Sequence, residues 1–213
     1  TISIGSNNSD LKIIEHKFVN LNQQIKFLYK KKINNFSTTL IGKIQIKNIL
    51  ISLLAASKSN IKLKNILNSV EKIKPVPGRL EKISNLKNNS IVILDYAHTP
   101  DALKACLTNL KEQFPLKNIN LVFGCGGERD KPKRKIMGQI ANNYCYKISL
   151  TDDNPRKEDP KQIRNQIKSK IDKKKLIEIP SRELAIKTAI KNIKSNEIVV
   201  VAGKGHETYQ EYK

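Results

Sequence analysis

The stretch Tyr146-Lys147-Ile148-Ser149-Leu150-Thr151-Asp152-Asp153-Asn154-Pro155-Arg156-Lys157-Glu158-Asp159-Pro160 decides the reading of the fold. Its first residues are a short apolar segment of the kind that fills a buried strand. Its last two are a helix start: Asp159 can cap the first turn, and Pro160 suits the first helical position, where no N–H is needed. Asp153 to Arg156 therefore lie on a loop leaving the C-terminal end of a strand, where open α/β sheets hold their ligands. Pro155 has a fixed φ and restricts Asn154 before it. The loop is stiff and carries a carboxylate, an amide and a guanidinium. The guanidinium is a forked donor matched to carboxylate or phosphate. A solvated turn with a surface arginine is the alternative.

The same alternation extends to both sides. Strands are predicted at 91–96, 120–124, 146–151, 176–179 and 197–202. Helices are predicted at 102–114 behind Thr99 and Pro100, at 133–143, at 160–171, and from a Ser181 cap through 193. Short connections between alternating strands and helices give an α/β fold with a Rossmann-like, mostly parallel sheet and helices on both faces.

Residues 1–74 read differently. Short strands are predicted at 10–19, 24–29 and 34–40, with a hairpin across Lys30-Lys31-Lys32. Ile46, Ile49, Leu50, Leu53 and Leu54 then follow helical spacing. A second amphipathic helix is predicted at 62–73, with Leu63, Ile66, Leu67, Val70 and Ile73 on one side. Lys74-Pro75-Val76-Pro77-Gly78-Arg79 breaks regular structure and marks a linker.

A chain of 213 residues suffices for one or two domains with a core. No apolar run is long enough to span a bilayer, so no membrane partner is expected. Thr1-Ile2-Ser3-Ile4-Gly5 has no signal-peptide pattern and reads as the middle of a strand, as if the chain begins inside a domain. Cys106, Cys125 and Cys145 form no CxxC pair and no even framework, and Cys106 and Cys145 fit core positions. A reducing, cytoplasmic compartment is expected. Forty Lys plus Arg against nineteen Asp plus Glu give a net charge of +21. Such a charge suits nucleic acid. The lysines, however, are spread over nearly every predicted helix face, and with no Trp and 5% aromatics there is no stacking platform. Anionic small substrates are the expected partners, and nucleic acid is not.

Four segments fall at predicted strand ends: Leu94-Asp95-Tyr96-Ala97-His98-Thr99-Pro100-Asp101, Phe123-Gly124-Cys125-Gly126-Gly127-Glu128-Arg129-Asp130-Lys131, the 153–156 loop, and Val199-Val200-Val201-Ala202-Gly203-Lys204-Gly205-His206-Glu207. The glycines at 124–127 let the backbone pass close to a ligand or another loop. No Gly-Lys-Ser/Thr follows them, so they are not a Walker loop. Arg129 adds a second guanidinium. Gly203 can offer its carbonyl and Glu207 a carboxylate, and both suit an ammonium group. Asp95 can accept from sugar hydroxyls. His98 can touch phosphate or serve as a structural histidine.

Taken in order, these segments resemble the C-terminal domain of the Mur ligases, in their diaminopimelate-adding (MurE-type) form, from about residue 40 to residue 209. The resemblance implies the end of a central ATP-binding domain at 1–74, a hinge at 75–79 and an amino-acid-binding domain at 80–213, truncated at its end. It implies ATP-dependent amide formation in peptidoglycan precursor synthesis. ATP with Mg2+ phosphorylates the D-glutamate carboxylate of UDP-N-acetylmuramoyl-L-alanyl-D-glutamate, and the amine of meso-diaminopimelate attacks the acyl phosphate.

In that family Asp153, Asn154, Pro155 and Arg156 match the amino-acid recognition motif, and Arg129 matches an arginine placed on a carboxylate of the incoming amino acid. Gly203 and Glu207 then take its ammonium. Meso-diaminopimelate has such a distal zwitterionic centre. Lysine has only the ammonium, so a lysine-adding site has no need of Arg156. For ATP, Asn48 matches an adenine contact, with Gln45 where the family has another asparagine. Arg79 matches a nucleotide-contacting arginine and Asp95 a ribose-contacting aspartate. By residue type alone Asn48 is a helix cap and Arg79 a domain-boundary ion-pair partner. The P-loop lysine, a carbamylated lysine and the Mg2+ ligands are implied to lie upstream of Thr1, as is the UDP-sugar domain. The family also continues beyond Lys213. A monomeric ligase fragment, inactive alone, is the expectation. A standalone amino-acid or nucleotide-binding module and a basic nucleic-acid-binding protein are the competing readings.

Overall fold

The computed structural model describes residues 3–5, 9–86 and 88–212. Contacts divide the chain into two compact units, 1–75 and 76–213. The first holds a four-stranded sheet in the order β1-β2-β3-β4, from β1 (Ile4–Gly5), β2 (Leu11–Val19), β3 (Asn22–Tyr29) and β4 (Lys32–Thr38). β1 runs parallel to β2, and the other pairs are antiparallel. The expectation that residues 1–5 are the middle of a strand falls partly on residues outside the described ones; Ile4 and Gly5 are in β1. Lys30 and Lys31 take positive φ values of 48° and 60° between the paired Tyr29 and Lys32, so the basic tract turns the hairpin.

Alternate residues Ile25, Phe27 and Tyr29 of β3 are buried and meet α1 (Lys43–Lys58) and α2 (Leu63–Val70). All five helically spaced residues of α1, from Ile46 to Leu54, lie in this core. The second helix is shorter than predicted. It stops at Val70, and Ile73 lies beyond it, 41% exposed. Buried Gln23 donates to the Leu40 and Gly42 carbonyls, which satisfies backbone just before α1.

The second unit is a six-stranded sheet in the order β5-β6-β10-β7-β8-β9. Its strands are β5 (Glu81–Asn85), β6 (Ile91–Asp95), β7 (Asn118–Phe123), β8 (Lys147–Leu150), β9 (Leu176–Glu178) and β10 (Glu197–Ala202). Only β5 pairs antiparallel, as an edge strand. The sequence reading has no strand there, because Glu81-Lys82-Ile83-Ser84-Asn85 is polar and half exposed and carries no apolar run.

Helices α3 (Pro100–Gln113), α4 (Pro132–Tyr144) and α5 (Pro160–Lys168) connect strands stepping one way across the sheet; α6 (Arg182–Lys191) connects β9 back to β10. Right-handed crossovers put outward and returning helices on opposite faces. Accordingly Ala185, Ile186, Ala189 and Ile190 of α6 pack with Val122, Val199 and Val201, while every residue of β10 is buried. Thr99, Asp159 and Ser181 cap α3, α5 and α6 through their side chains, as their sequence positions require. α5 and α6 end at Lys168 and Lys191, short of the predicted 171 and 193. All three cysteines are buried; burial pushes the Cys125 and Cys145 thiols up to about 12, which leaves them inert near neutral pH. Among the described residues no helix is long and apolar enough to cross a membrane.

α4 and α5 approach at Gly138, where a Cβ would stand 2.2 Å from the Ile167 carbonyl oxygen. Alanine gains about 1 kcal/mol of helix propensity, but overpacking against backbone costs about 1–3 kcal/mol. Gly138→Ala is therefore expected to lower the unfolding midpoint in urea; a midpoint raised by the substitution would contradict this packing.

Candidate functional site

The glycine-rich turn after β7 and the 151–156 loop after β8 are pressed backbone to backbone. Thr151 donates its N–H to the Phe123 carbonyl at 3.0 Å, and Gly127 donates to that of Asn154 at 2.8 Å. A Cβ on Gly124 would lie 2.2 Å from the Thr151 oxygen, and one on Gly127 1.9 Å from that of Pro155. Only glycine fits at either position.

Charge fixes what the backbone begins. Arg134, fully buried, forks onto both carboxylate oxygens of Glu158 at 2.9 and 3.0 Å and also donates to the Gly126 carbonyl and to Gln166. Glu158 further accepts the Glu128 amide. Hydrogen bonds from Arg134, which outweigh burial, hold the Glu158 carboxyl down at about 2. Buried Asp152 pairs with Arg164, which also bonds Glu178. The segment 210–212 adds a strap. Gln210 donates to the Asp152 and Asp153 carbonyls, the Glu211 amide to Asn154 Oδ1, and Tyr212 OH to Asp152. Arg156 sits at φ 52°, in a β-bridge with Tyr212. That left-handed backbone is uncommon for arginine and is held by the strap.

On this frame the amino-acid residues read from the sequence come together. The Arg156 guanidinium donates to the Gly127 carbonyl at 2.9 Å and pairs with Glu211 at 2.9 Å. The hydrogen of Gly126 leaves a space flanked by two arginines: a Cβ there would meet Arg156 Nη1 at 3.2 Å and Arg129 Cγ at 3.9 Å. Arg129 itself is exposed. Asp153 accepts the Asn154 amide, and its Oδ2 lies 2.9 Å from where a Gly203 Cβ would stand. Glu207 accepts from Tyr96 OH at 2.9 Å and faces Lys204 Nζ at 3.2 Å. Burial opposes its ionisation, but these two donors hold its carboxyl below the usual range. Lys204 also donates to Asn154 at 2.8 Å, which links the β8 and β10 loops.

Of the residues that the resemblance assigns to the nucleotide, Arg79 and His98 lie beside Tyr96, and Asp95 directly precedes it. Arg79 is exposed, its guanidinium 4.9 Å from the Tyr96 ring centre. His98 is exposed, bonds the Tyr96 carbonyl through Nδ1 and meets the ring edge-on. His206 stacks on the same ring. Asp95 is buried, and its two oxygens accept the Leu80 and Ala97 amides at 2.8 Å each. Burial raises its pKa against those bonds. Asn48 lies in the first unit, exposed on α1 with Gln45 3.5 Å away. Sequence reading assigned nothing to Arg134, Arg182, Lys204 or the strap.

The chain matches the family described as Mur ligase, glutamate ligase domain, over residues 78–205. It belongs to the Mur ligase family. Among its Mur ligase relatives is the UDP-N-acetylmuramoyl-L-alanyl-D-glutamate--2,6-diaminopimelate ligase of Rickettsia rickettsii, 44% identical over 210 residues, which are 98% of this chain and 43% of the relative. The solved structure of a ligase of the same name superposes with a TM-score of 0.72 at 35% identity, over 97% of this chain and 42% of that one. The MurF ligase of Thermotoga maritima, solved in complex with ADP, shares the fold: TM-score 0.69, 18% identity, 95% of this chain and 44% of that one. The chain thus spans less than half the length of the Mur ligases it matches.

The Arg134–Glu158 fork gives this Mur ligase domain a pH signature. The folded Glu158 carboxyl titrates at about 2, below its ordinary 4.5. Its contribution is therefore complete above about 4.5 and fades as pH falls through about 2. Glu158→Gln is expected to destabilise the domain by about 3 kcal/mol at pH 7, since it leaves a buried guanidinium without its anion. The gap to wild type should close on acidification in melting curves from pH 7 to pH 2; a gap that stays constant would contradict the assignment.

Proposed function

We propose that this chain supplies the amino-acid-binding part, and one edge of the nucleotide site, of an ATP-dependent ligase that adds meso-diaminopimelate to UDP-N-acetylmuramoyl-L-alanyl-D-glutamate. The observation that carries the reading is the approach of two arginine side chains to Gly126, Arg156 through its guanidinium and Arg129 through its Cγ. They come from different loops, and the Glu207 carboxylate is tied to the same cluster through Lys204 and Asn154. A receptor with guanidinium donors for a carboxylate and a carboxylate for an ammonium fits a zwitterionic amino-acid end. The names of the Rickettsia rickettsii relative and of the superposed structure support diaminopimelate as that amino acid.

In this proposal Arg156 and Arg129 hold the distal carboxylate, aided by Asp153, Asn154 and Pro155 as the loop that shapes them. Glu207 and the Gly203 carbonyl take the distal ammonium. The other amine is then free to react. It attacks the acyl carbon of the phosphorylated D-glutamate; a C–N bond forms, the C–O bond to phosphate breaks, and inorganic phosphate and a proton leave. ATP supplies the phosphoryl group that activates the carboxylate. The chain's own residues contribute by positioning the amine, which turns a bimolecular attack into an effectively unimolecular one.

For ATP, Arg79 and His98 are exposed beside Tyr96 and can reach a nucleotide, and Asn48 is exposed on its helix. Asp95 fits a ribose contact less simply, because both of its oxygens already accept backbone amides. Among the described residues no cluster of three or more His, Cys, Asp or Glu is present to hold Mg2+. We read residues 1–74 as the end of the central ATP-binding domain, 75–79 as the hinge and 80–213 as the amino-acid-binding domain. Ligation then requires the remaining parts of the enzyme.

Calorimetric titration of the 213-residue chain tests the proposal. Meso-diaminopimelate is expected to bind at least roughly tenfold more tightly than L-lysine, because only diaminopimelate brings the carboxylate that Arg156 and Arg129 are read to receive. Arg156→Ala is expected to abolish that preference. Undiminished diaminopimelate affinity in the variant would overturn the reading.

A further inference from the structure

Lys204 lies within the loop cluster just described, where it links Glu207 to Asn154 but has been given no part in choosing the ligand. Its side chain is 6% exposed. Its ammonium donates to Asn154 Oδ1 at 2.8 Å, stands 3.2 Å from Glu207 Oε2 and lies 5.2 Å from the centre of the Tyr209 ring. A buried ammonium requires compensation, and here the compensating carboxylate is the one read as the ligand's ammonium receptor. An incoming ammonium that approaches Glu207 therefore meets a fixed like charge beside it.

Asn154 points the same way. Its Oδ1 accepts both the Lys204 ammonium and the Glu211 amide at 2.9 Å. With the oxygen committed, the other end of the carboxamide is a donor only. It can serve a carboxylate and cannot serve an ammonium. The surrounding charges pair off: Arg156 with Glu211, Lys204 with Glu207, and Arg182 facing Asp153 at 3.9 Å. Arg129 is left exposed, with no ion-pair partner among the described residues. Lys204 beside Glu207 and the donor end of Asn154 together suit a ligand end that brings a carboxylate with its ammonium.

We propose that Lys204 is a specificity-determining residue that makes the pocket reject a lone ammonium and accept a zwitterionic amino-acid end. The inference rests on the diaminopimelate reading given above. It adds a repulsive element to the attraction assigned to Arg156.

The test is calorimetry of the wild-type chain, Lys204→Met and Lys204→Arg with meso-diaminopimelate and with L-lysine. Lys204→Met is expected to narrow the diaminopimelate-to-lysine affinity ratio by roughly tenfold or more, with lysine gaining relative to diaminopimelate. Lys204→Arg, which keeps the cation, is expected to keep the ratio. Circular dichroism checks folding, and Lys204→Gln carries the test if the methionine variant does not fold. If wild type prefers diaminopimelate and the neutral variant shows the same ratio, Lys204 is only structural and the inference fails alone. If wild type binds neither ligand, the diaminopimelate reading fails and takes this inference with it.

Discussion

A fully buried guanidinium must find an anion, and Arg134 finds Glu158. The consequences spread from there. The same arginine holds the Gly126 carbonyl, so the glycine turn after β7 is anchored to α4. Glu158 holds the Glu128 amide, so the far side of that turn is anchored to the segment after Arg156. Gln166 on α5 accepts from Arg134 as well. One ion pair thus sets the spacing of two strand-end loops and two helices. Glycines 124 and 127 make the spacing possible, because any side chain at either would collide with carbonyl oxygens of the neighbouring loop. Positioning of Arg129 and Arg156 around Gly126 is a result of this clamp.

The third loop joins through charge as well. Lys204 reaches from the end of β10 to Asn154, and the strap at 210–212 crosses the 152–156 loop to complete the frame. Gly203 stays close to Asp153. Such a site has its polar groups oriented before any ligand arrives, which is the condition for selective recognition at modest cost in ordering.

Much of this was legible in the sequence. The 153–156 loop, the glycine turn and the last strand's Gly203 to Glu207 segment were each placed at a strand end by apolar runs and by capping residues, and the structure places them there. What sequence reading lacked was long-range pairing. Edge strand β5 is polar because an edge need not be buried on both faces, and period alone does not reveal it. The strap residues Gln210, Glu211 and Tyr212 have no local signal, since their partners lie more than fifty positions away. One compositional signal was available. Only six of the forty basic residues are arginine, and all six lie in the second unit. Arg134, Arg164 and Arg182 are buried against carboxylates or carbonyls, and Arg79, Arg129 and Arg156 are the three to which the proposal gives a ligand. In a chain that otherwise uses lysine, arginine marks positions where a planar, forked donor is required.

The central claim is that three loops, at the ends of β7, β8 and β10, form one receptor for a zwitterionic amino-acid end. The most direct measurement is a meso-diaminopimelate titration of the 15N-labelled chain, followed residue by residue through its amide resonances. Saturable shifts with a common midpoint are expected at Gly126, Gly127, Arg129, Asn154, Arg156, Gly203 and Glu207, while amides of the first unit's sheet stay in place. Shifts confined to one of the three loops, or centred in the first unit, would contradict the account.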